Sequence, residues 1–165
     1  MILANAIAYP YIPEGRTILY VPASHKYMAA LRKYASIMSL DREHPTAAFV
    51  VRGGEIIGRG ANGSKYHEQY GCERKRLNMP TGQGYELCEG CHPKNHSESR
   101  AIAYAKEAGH NPENADIYIW GHWWICEQCW GSILEARIND VFLMEGSEML
   151  FNNKHPGNII GKFDI

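Results

Sequence analysis

Apolar residues recur at the spacing of an α-helix in three segments of the chain. The predicted helices begin at Ser24, extend from His96 to Ala108, and extend from Glu127 to Arg137. Ser24 and Asn95 are the expected N-caps of the first two, and Gly109 is expected to stop the second. The expected core positions are Met28, Leu31, Ala35 and Met38 in the first helix, Ala101, Ile102, Ala105 and Ala108 in the second, and Ile133, Leu134 and Ile138 near the third.

Runs of β-branched and aromatic residues between these segments predict strands. Residues 46–52 and 55–61 form a hairpin, because Gly53-Gly54 is a two-residue turn in which both residues can adopt positive φ. Further strands are predicted at residues 16–21, 115–121 and 140–144. The hairpin strands are largely apolar, which is typical of a sheet covered on both faces. Alternation of helices and strands predicts a three-layer α/β domain with some parallel pairing.

One long irregular stretch, residues 62–95, interrupts this alternation, and we call it the insert. It is rich in glycine and contains Cys72, Cys88 and Cys91. A structureless loop of this length is uncommon inside a compact domain, so something else is expected to order it. A bound metal would do so. The alternative is three reduced, partly buried thiols without a metal.

Composition and charge restrict the class of partner. The chain has 165 residues, 45% hydrophobic and 21% charged, with a net charge of −1. Proteins that grip phosphate backbones are usually basic, so nucleic acid is disfavoured as the main partner and a small molecule is favoured. No apolar run reaches the length of a membrane span, and the N-terminus lacks the basic flank of a secretory signal. We therefore expect a cytoplasmic protein with no membrane partner.

Four of the five cysteines form two Cys-x-x-Cys pairs, a pattern that indicates metal or redox chemistry in an intracellular protein. His96, Cys126 and Cys129 offer three soft ligands for one Zn²⁺. Three protein ligands leave a fourth position for water, as in catalytic zinc sites, and bound Zn²⁺ lowers the pKa of that water to about 7. Glu98, two residues after His96, is placed to move a proton.

The cysteines of the insert predict a second, structural zinc site. Cys88-x-x-Cys91 has the spacing of zinc ligands, and Cys72 with one histidine would complete a closed site. His67 and His92 are both candidates for the fourth ligand. His92 adjoins Cys91, which crowds the geometry.

The motif His96-Ser97-Glu98, followed by Cys126-x-x-Cys129, resembles the signature of zinc-dependent nucleobase deaminases, His-x-Glu and later Pro-Cys-x-x-Cys. Ile125 stands where the family has proline. The hairpin end Gly60-Ala61-Asn62-Gly63 looks like the Gly-Tyr-Asn-Gly of deoxycytidylate (dCMP) deaminases, which also carry a Cys- and His-bearing insert. The resemblance covers roughly residues 24–145. It leaves residues 1–23 as an N-terminal extension of a single deaminase domain comprising residues 1–165.

The resemblance implies a three-layer α/β/α cytidine-deaminase-like fold with a mixed central sheet. It implies hydrolytic deamination of dCMP to dUMP and ammonia, which supplies dUMP for thymidylate synthesis. Glu98 would shuttle the proton from zinc-activated water to N3 of the pyrimidine and then to the departing ammonia. Related inserts favour His67 over His92 as the fourth ligand of the second zinc. The expected substrate contacts are Asn62, Ser97 and Trp124. Relatives commonly oligomerise, so a homo-oligomer is expected.

Two kinds of alternative stay open. Within the family, the substrate could be dCTP, cytidine, guanine or a riboflavin precursor; the near-neutral charge argues against tRNA. Outside it, Cys88-x-x-Cys91 and Cys126-x-x-Cys129 could share one Cys₄ metal in a non-catalytic structural module. Glu98 discriminates between the two classes, because a structural site has no use for it.

Overall fold

Within residues 7–80 and 82–162, which the computed structural model describes, five strands form one mixed sheet. The strands are β1 (Ile18–Val21), β2 (Ala47–Arg52), β3 (Glu55–Ala61), β4 (Asp116–Trp120) and β5 (Val141–Met144), in the spatial order β1-β5-β4-β2-β3. β5 pairs in parallel with β1 and β4, whereas β2 pairs antiparallel with β3 and β4. The predicted mixed sheet is therefore confirmed.

The longer helices cover the two faces of this sheet. The α-helices of the described chain are α1 (Lys26–Met38), α2 (Tyr66–Tyr70), α3 (Glu73–Arg76), α4 (Ser97–Glu107), α5 (Glu127–Glu135) and α6 (Ser147–Phe151), with 3₁₀ turns at Tyr85–Leu87 and Pro93–Asn95. None of these helices has the length and apolar character needed to cross a bilayer. The insert, predicted to be irregular, thus contains short helices of its own.

Side-chain alternation along β2 separates the core into two layers. Ala48 and Val50 pack with α4 and α5, whereas Ala47, Phe49 and Val51 pack with α1 and α6. This division follows from the strand period of two, which sends successive side chains to opposite faces. The helices α4 and α5 therefore lie together on one face, which brings their N-termini to the same end of the sheet.

Two glycines of β3 set the position of α4. A Cβ added at Gly60 would overlap the carbonyl oxygen of Ser97, and one at Gly58 would overlap that of Ala101. Glycine in a strand interior often marks such a close approach of another backbone. The beginning of α4, which carries His96 and Glu98, is therefore held directly against the sheet.

Helix ends and some helix faces differ from the sequence prediction. His25 caps α1 in place of Ser24, because its Nδ1 accepts the amide proton of Tyr27 at 3.2 Å. His96 occupies the N-cap of α4, while the Asn95 side chain bonds the carbonyl of Glu89 in the insert. Leu134, predicted to face inward, is 40% exposed, because it lies about 100° around the helix from buried Ile133. Met38, also predicted in the core, is exposed as well.

Candidate metal centres and active site

Two helix N-termini bring together the first group of metal-ligand side chains. His96 is the N-cap of α4, and Cys126 is the N-cap of α5, with its Sγ accepting the amide proton of Cys129. Nδ1 of His96 lies 3.3 Å from Sγ of Cys129 and 3.5 Å from Sγ of Cys126. A helix N-terminus favours negative charge, so both thiolates gain from this placement.

These distances fit one tetrahedral zinc ion. With Zn–S of about 2.3 Å and Zn–N of about 2.1 Å, nitrogen and sulfur ligands lie about 3.6 Å apart. The observed nitrogen-to-sulfur separations of 3.3 and 3.5 Å are close to that value. The donor set of one imidazole and two thiols is also one that zinc prefers, and it leaves a fourth position for water.

The two thiols of this cluster differ in pKa, and the one that ionises more easily prepares the cluster for a cation. The hydrogen bond with Cys129 and that with His96 lower the pKa of Cys126 to about 6 although burial raises it, whereas the pKa of Cys129 is raised well above its usual value by its bond to Cys126 and by burial. Burial opposes protonation of His96, yet its bond to Cys126 and the charge of Glu98 raise the pKa of His96 overall. One thiol is thus readily ionised near neutral pH.

Glu98 follows this cluster on the first turn of α4 and is 1% exposed. The hydroxyl of Ser97 lies 3.0 Å from its Oε2 and donates to it, and Oγ1 of Thr46 donates in turn to Oγ of Ser97 at 3.2 Å. Buried carboxylates require such partners, because burial removes their hydration. Ser97, predicted to contact substrate, is itself fully buried. Its hydroxyl bonds Glu98, and its contact with substrate stays a prediction.

A cavity of about 430 Å³ opens beside the cluster, and His96 and Cys126 form part of its wall. This volume lies within the range of small-molecule sites. Asn62 and Trp124, both predicted substrate contacts, also line it. The Asn62 amide is largely engaged elsewhere, because its Oδ1 accepts from Ser39 and Thr46 and its Nδ2 donates to the carbonyl of His44. Asn62 therefore holds the loop beside the cavity as well as lining it.

His122, which belongs to none of the sequence motifs described above, lines the same cavity. Burial lowers its pKa, so the imidazole is neutral near neutral pH. Its position two residues after the end of β4 and four residues before Cys126 was the available signal, since the ends of strands in α/β proteins carry ligand contacts. Lys154, from the C-terminal segment that the sequence left unassigned, also lines the cavity.

The insert forms the second group of metal-ligand side chains. His67, Cys72, Cys88 and Cys91 have ligand atoms that all lie within 4.8 Å of one another. Nε2 of His67 is 3.3 Å from Sγ of Cys88 and 3.5 Å from that of Cys91, and Sγ of Cys72 is 3.6 Å from that of Cys91. Two sulfurs on one tetrahedral zinc lie about 3.8 Å apart. Three thiols and one imidazole thus make a closed donor set.

The candidate His92 lies outside this group, and its Nδ1 accepts the amide proton of Lys94. Gly90 explains how His67 enters instead, because a Cβ at that position would overlap its ring. Within the described residues, Cys88-x-x-Cys91 and Cys126-x-x-Cys129 belong to separate groups. The alternative of one shared Cys₄ metal is therefore wrong.

Three consecutive basic residues of the insert, Arg74, Lys75 and Arg76, form ion pairs and hydrogen bonds within the protein. The Arg74 guanidinium donates to the carbonyls of Gln83 and Pro80 and stacks on the Tyr85 ring at 4.4 Å. Arg76 pairs with Glu73, and Lys75 pairs with Glu43 on the surface. Arg74 lines the cavity, but its hydrogen bonds serve the folding of the insert.

Two helix N-termini meet on an α/β sheet flanked by helices, and they bring together an imidazole, two thiols and a buried carboxylate. This arrangement defines a zinc-binding α/β protein with the site of a metal-assisted hydrolase. The family model described as the cytidine and deoxycytidylate deaminase zinc-binding region matches residues 22–145. The chain belongs to this family. No curated protein sequence matches the chain significantly.

Several solved structures are similar to this chain at low sequence identity. One is the dCMP deaminase from cyanophage S-TIM5 in apo form, with 17% identity, a TM-score of 0.47, and coverage of 74% of this chain and 83% of that chain. Another is the diaminohydroxyphosphoribosylaminopyrimidine deaminase/5-amino-6-(5-phosphoribosylamino)uracil reductase from Thermotoga maritima, with 20% identity, a TM-score of 0.45, and coverage of 72% and 28%. A third is the guanine deaminase from Bacillus subtilis, with 24% identity, a TM-score of 0.36, and coverage of 59% and 48%.

Proposed function

We propose that this protein catalyses the zinc-dependent hydrolytic deamination of dCMP to dUMP and ammonia, and so supplies dUMP for thymidylate synthesis. The observation that carries the proposal is Glu98, a buried carboxylate held by Ser97 beside the cluster of His96, Cys126 and Cys129. A purely structural zinc site gains nothing from a buried carboxylate, whereas hydrolysis requires a group that moves protons.

In this proposal His96, Cys126 and Cys129 would hold the catalytic zinc, which would lower the pKa of a water molecule at the site to about 7. The Glu98 carboxylate accepts the proton of the attacking water. It delivers this proton to N3 of the pyrimidine ring as the water oxygen bonds to C4. It then takes the remaining proton of the hydroxyl group now on C4 and passes it to the amino group, so that the C4 carbonyl forms, the C4–N bond breaks and ammonia leaves. The Ser97 hydroxyl holds Oε2 of Glu98 at 3.0 Å, so the carboxylate keeps one orientation through these transfers.

The cavity supports a phosphorylated substrate. Lys154 lines it and, within the described residues, takes part in no ion pair, so its ammonium is available for a phosphate. Trp124 offers an apolar ring to a base, and neutral His122 offers one donor and one acceptor. The runner-up substrates are dCTP, cytidine, guanine and a riboflavin precursor, which differ in their phosphate and ring.

We also propose that Cys72, Cys88, Cys91 and His67 hold a second, structural zinc. Among the described residues of the insert, Cys88 and Gly90 are the fully buried ones. Helices as short as α2 and α3 are not stable in isolation. A closed tetrahedral site would supply the missing stabilisation. Total zinc per chain, measured by mass spectrometry, tests this, with two ions expected.

The first experiment measures ammonia release from dCMP, dCTP, deoxycytidine and guanine, by wild type and by Glu98→Gln, together with zinc content. We expect dCMP turnover to fall about 10²–10⁴-fold in the variant while zinc content is unchanged. Glu127→Gln on α5, which alters an exposed carboxylate beside Cys126, is the matched control and is expected to retain turnover. Turnover of another compound with none of dCMP would reassign the substrate. No turnover of any compound by zinc-loaded wild type would overturn the enzymatic function.

The predicted homo-oligomer and the cytoplasmic location stay predictions. Light scattering at several protein concentrations measures the oligomer directly. A monomeric mass throughout would contradict it.

A further inference from the structure

The two ring nitrogens of His96 face the two different clusters. Nδ1 faces Cys126 and Cys129, whereas Nε2 lies 3.1 Å from the backbone carbonyl oxygen of Cys91. A carbonyl oxygen can only accept, so Nε2 carries the proton and donates it. In the neutral imidazole, the form that binds a metal, the lone pair is therefore on Nδ1, the nitrogen that points at the thiols. Histidine metal ligands are commonly oriented in this way by a partner on their other nitrogen.

Cys91 is at the same time a member of the insert cluster. Its Sγ lies 3.5 Å from Nε2 of His67 and 3.6 Å from Sγ of Cys72. The side chain of one residue thus belongs to one candidate metal site, and its backbone carbonyl orients a ligand of the other. Any interaction that fixes the position of the Cys91 thiol therefore also fixes the Cys91 carbonyl oxygen, which accepts the hydrogen bond from Nε2 of His96.

Tyr85 gives the insert a second contact with His96. The two rings meet edge to face, with centroids 4.8 Å apart and an interplanar angle of 87°. The Arg74 guanidinium lies over the Tyr85 ring, 4.4 Å from its centroid, and its Nη1 lies 3.8 Å from Sγ of Cys91. The imidazole is therefore held from two directions by the insert.

The insert has few other sources of order. Neither α2 nor α3 buries a residue. Residues in such segments open locally at small free-energy cost unless a bound ion holds them. The Cys91 carbonyl and the Tyr85 ring are therefore expected to be held in place mainly while the insert cluster is closed around a metal.

We propose that metal binding in the insert cluster sets the affinity of the catalytic cluster for its own zinc, through the hydrogen bond from His96 to the Cys91 carbonyl. Cys91 and Tyr85 are positioning residues in this arrangement. The inference rests on the proposed occupation of both clusters. Because a coupling free energy is shared by two sites, the catalytic zinc must strengthen metal binding in the insert by the same factor.

The test uses Cys72→Ser, which removes an insert ligand that does not itself line the cavity. Zinc affinity of the catalytic cluster is measured by competition with a chelator, and Co²⁺ absorption reports its geometry independently of turnover. We expect affinity to fall about 10–100-fold, the usual effect of losing a partner of a histidine ligand. Cys72→His, which restores four ligands, is expected to recover most of the loss. Lys75→Ser, on exposed α3, is the matched control and is expected to change nothing.

The reverse arm measures the insert affinity in Cys126→Ser, and a similar fall is expected. Stepwise Co²⁺ addition to metal-free wild type makes the same measurement without any substitution, so it does not depend on the folding of a variant. An unchanged catalytic affinity in Cys72→Ser, or independent binding at the two sites in wild type, would overturn the coupling. If Glu98→Gln abolishes turnover while the coupling is absent, the enzymatic function stands alone. If the two sites are coupled but no compound is turned over, the coupling stands and the enzymatic function is wrong.

Discussion

The hydroxyl of Ser97 donates a hydrogen bond of 3.0 Å to Oε2 of Glu98, and both side chains are buried at the beginning of α4. A carboxylate that moves protons needs one orientation, and this bond supplies it. Thr46 extends the arrangement to β2 through its own bond to Ser97. The Glu98 carboxylate is therefore anchored to the sheet.

Replacing Ser97 by alanine is expected to lower kcat by about 10–100-fold, because hydrogen bonds to charged groups contribute about 1.5–3 kcal/mol. Zinc content and KM are expected to change little, since Ser97 contacts neither the ligands nor the cavity. Steady-state kinetics of dCMP deamination measures this. Ser132→Ala is the control, because that hydroxyl bonds only its own helix at Gln128. A large rise in KM with unchanged kcat would contradict a positioning role.

Gly60→Ala is expected to destabilise the protein by about 1–3 kcal/mol, because the added methyl group would overlap the Ser97 carbonyl and overpack the contact of β3 with α4. At about 2–4 °C per kcal/mol, calorimetry resolves this change in Tm. Gly131→Ala is the matched control. Gly131 lies within α5 with open space around it, so alanine there is expected to stabilise by about 0.5–1 kcal/mol. Equal Tm values for the two variants would contradict the close approach of α4.

Gly90→Ala is expected to reduce bound zinc from two ions per chain to one. The added methyl group would overlap the His67 ring, which then cannot complete the insert cluster. Mass spectrometry under native conditions counts the ions. Glu89→Ala, a change at the neighbouring position that removes only a surface pair with Lys94, is expected to keep both. Two ions in Gly90→Ala would show that His67 is dispensable.

His122→Gln is expected to reduce the loss of stability on acidification. Burial lowers the folded-state pKa of His122 below the ordinary value of about 6.5, so its neutral form stabilises the fold above that pH, and the contribution is lost as pH falls below it. The measurement compares Tm at about pH 7.5 and about pH 5.5, on either side of the ordinary value. Exposed His110→Gln is the control. An equal drop in Tm for both variants would contradict the burial effect.

Periodicity located the main helices and strands because each buries one face, and burial imposes the period on the sequence. Helix ends were less predictable. Asn95 has a good capping side chain, yet tertiary contacts with Glu89 and Arg100 engage it, and His96 takes the N-cap. Leu134 was predicted to face inward together with Ile133. Consecutive helix residues point about 100° apart, so Ile133 lies in the core and Leu134 does not.

Contacts that depend on backbone atoms had no signal in the sequence. Every residue has a carbonyl, so nothing marks Cys91 as the partner of His96. The role of Asn62 was similarly hidden, because its amide bonds Ser39, Thr46 and His44 across a loop that only the folded chain closes. Lys154 lines the cavity, but it lies in a C-terminal segment whose short helix and turns have few features from which a sequence pattern can predict structure.

The sequence by itself determined which metal-ligand and carboxylate groups the chain offers. Residues i and i+3 at a helix N-terminus necessarily point the same way, so Cys126 and Cys129 form a ligand pair by local geometry alone. Tertiary structure alone decided which groups meet across long separations. It divided the two Cys-x-x-Cys pairs between separate clusters, selected His67 over His92 for the second cluster, and joined the two clusters through His96. Those choices depend on how α4, α5 and the insert pack on the sheet, and packing is a property of the whole chain.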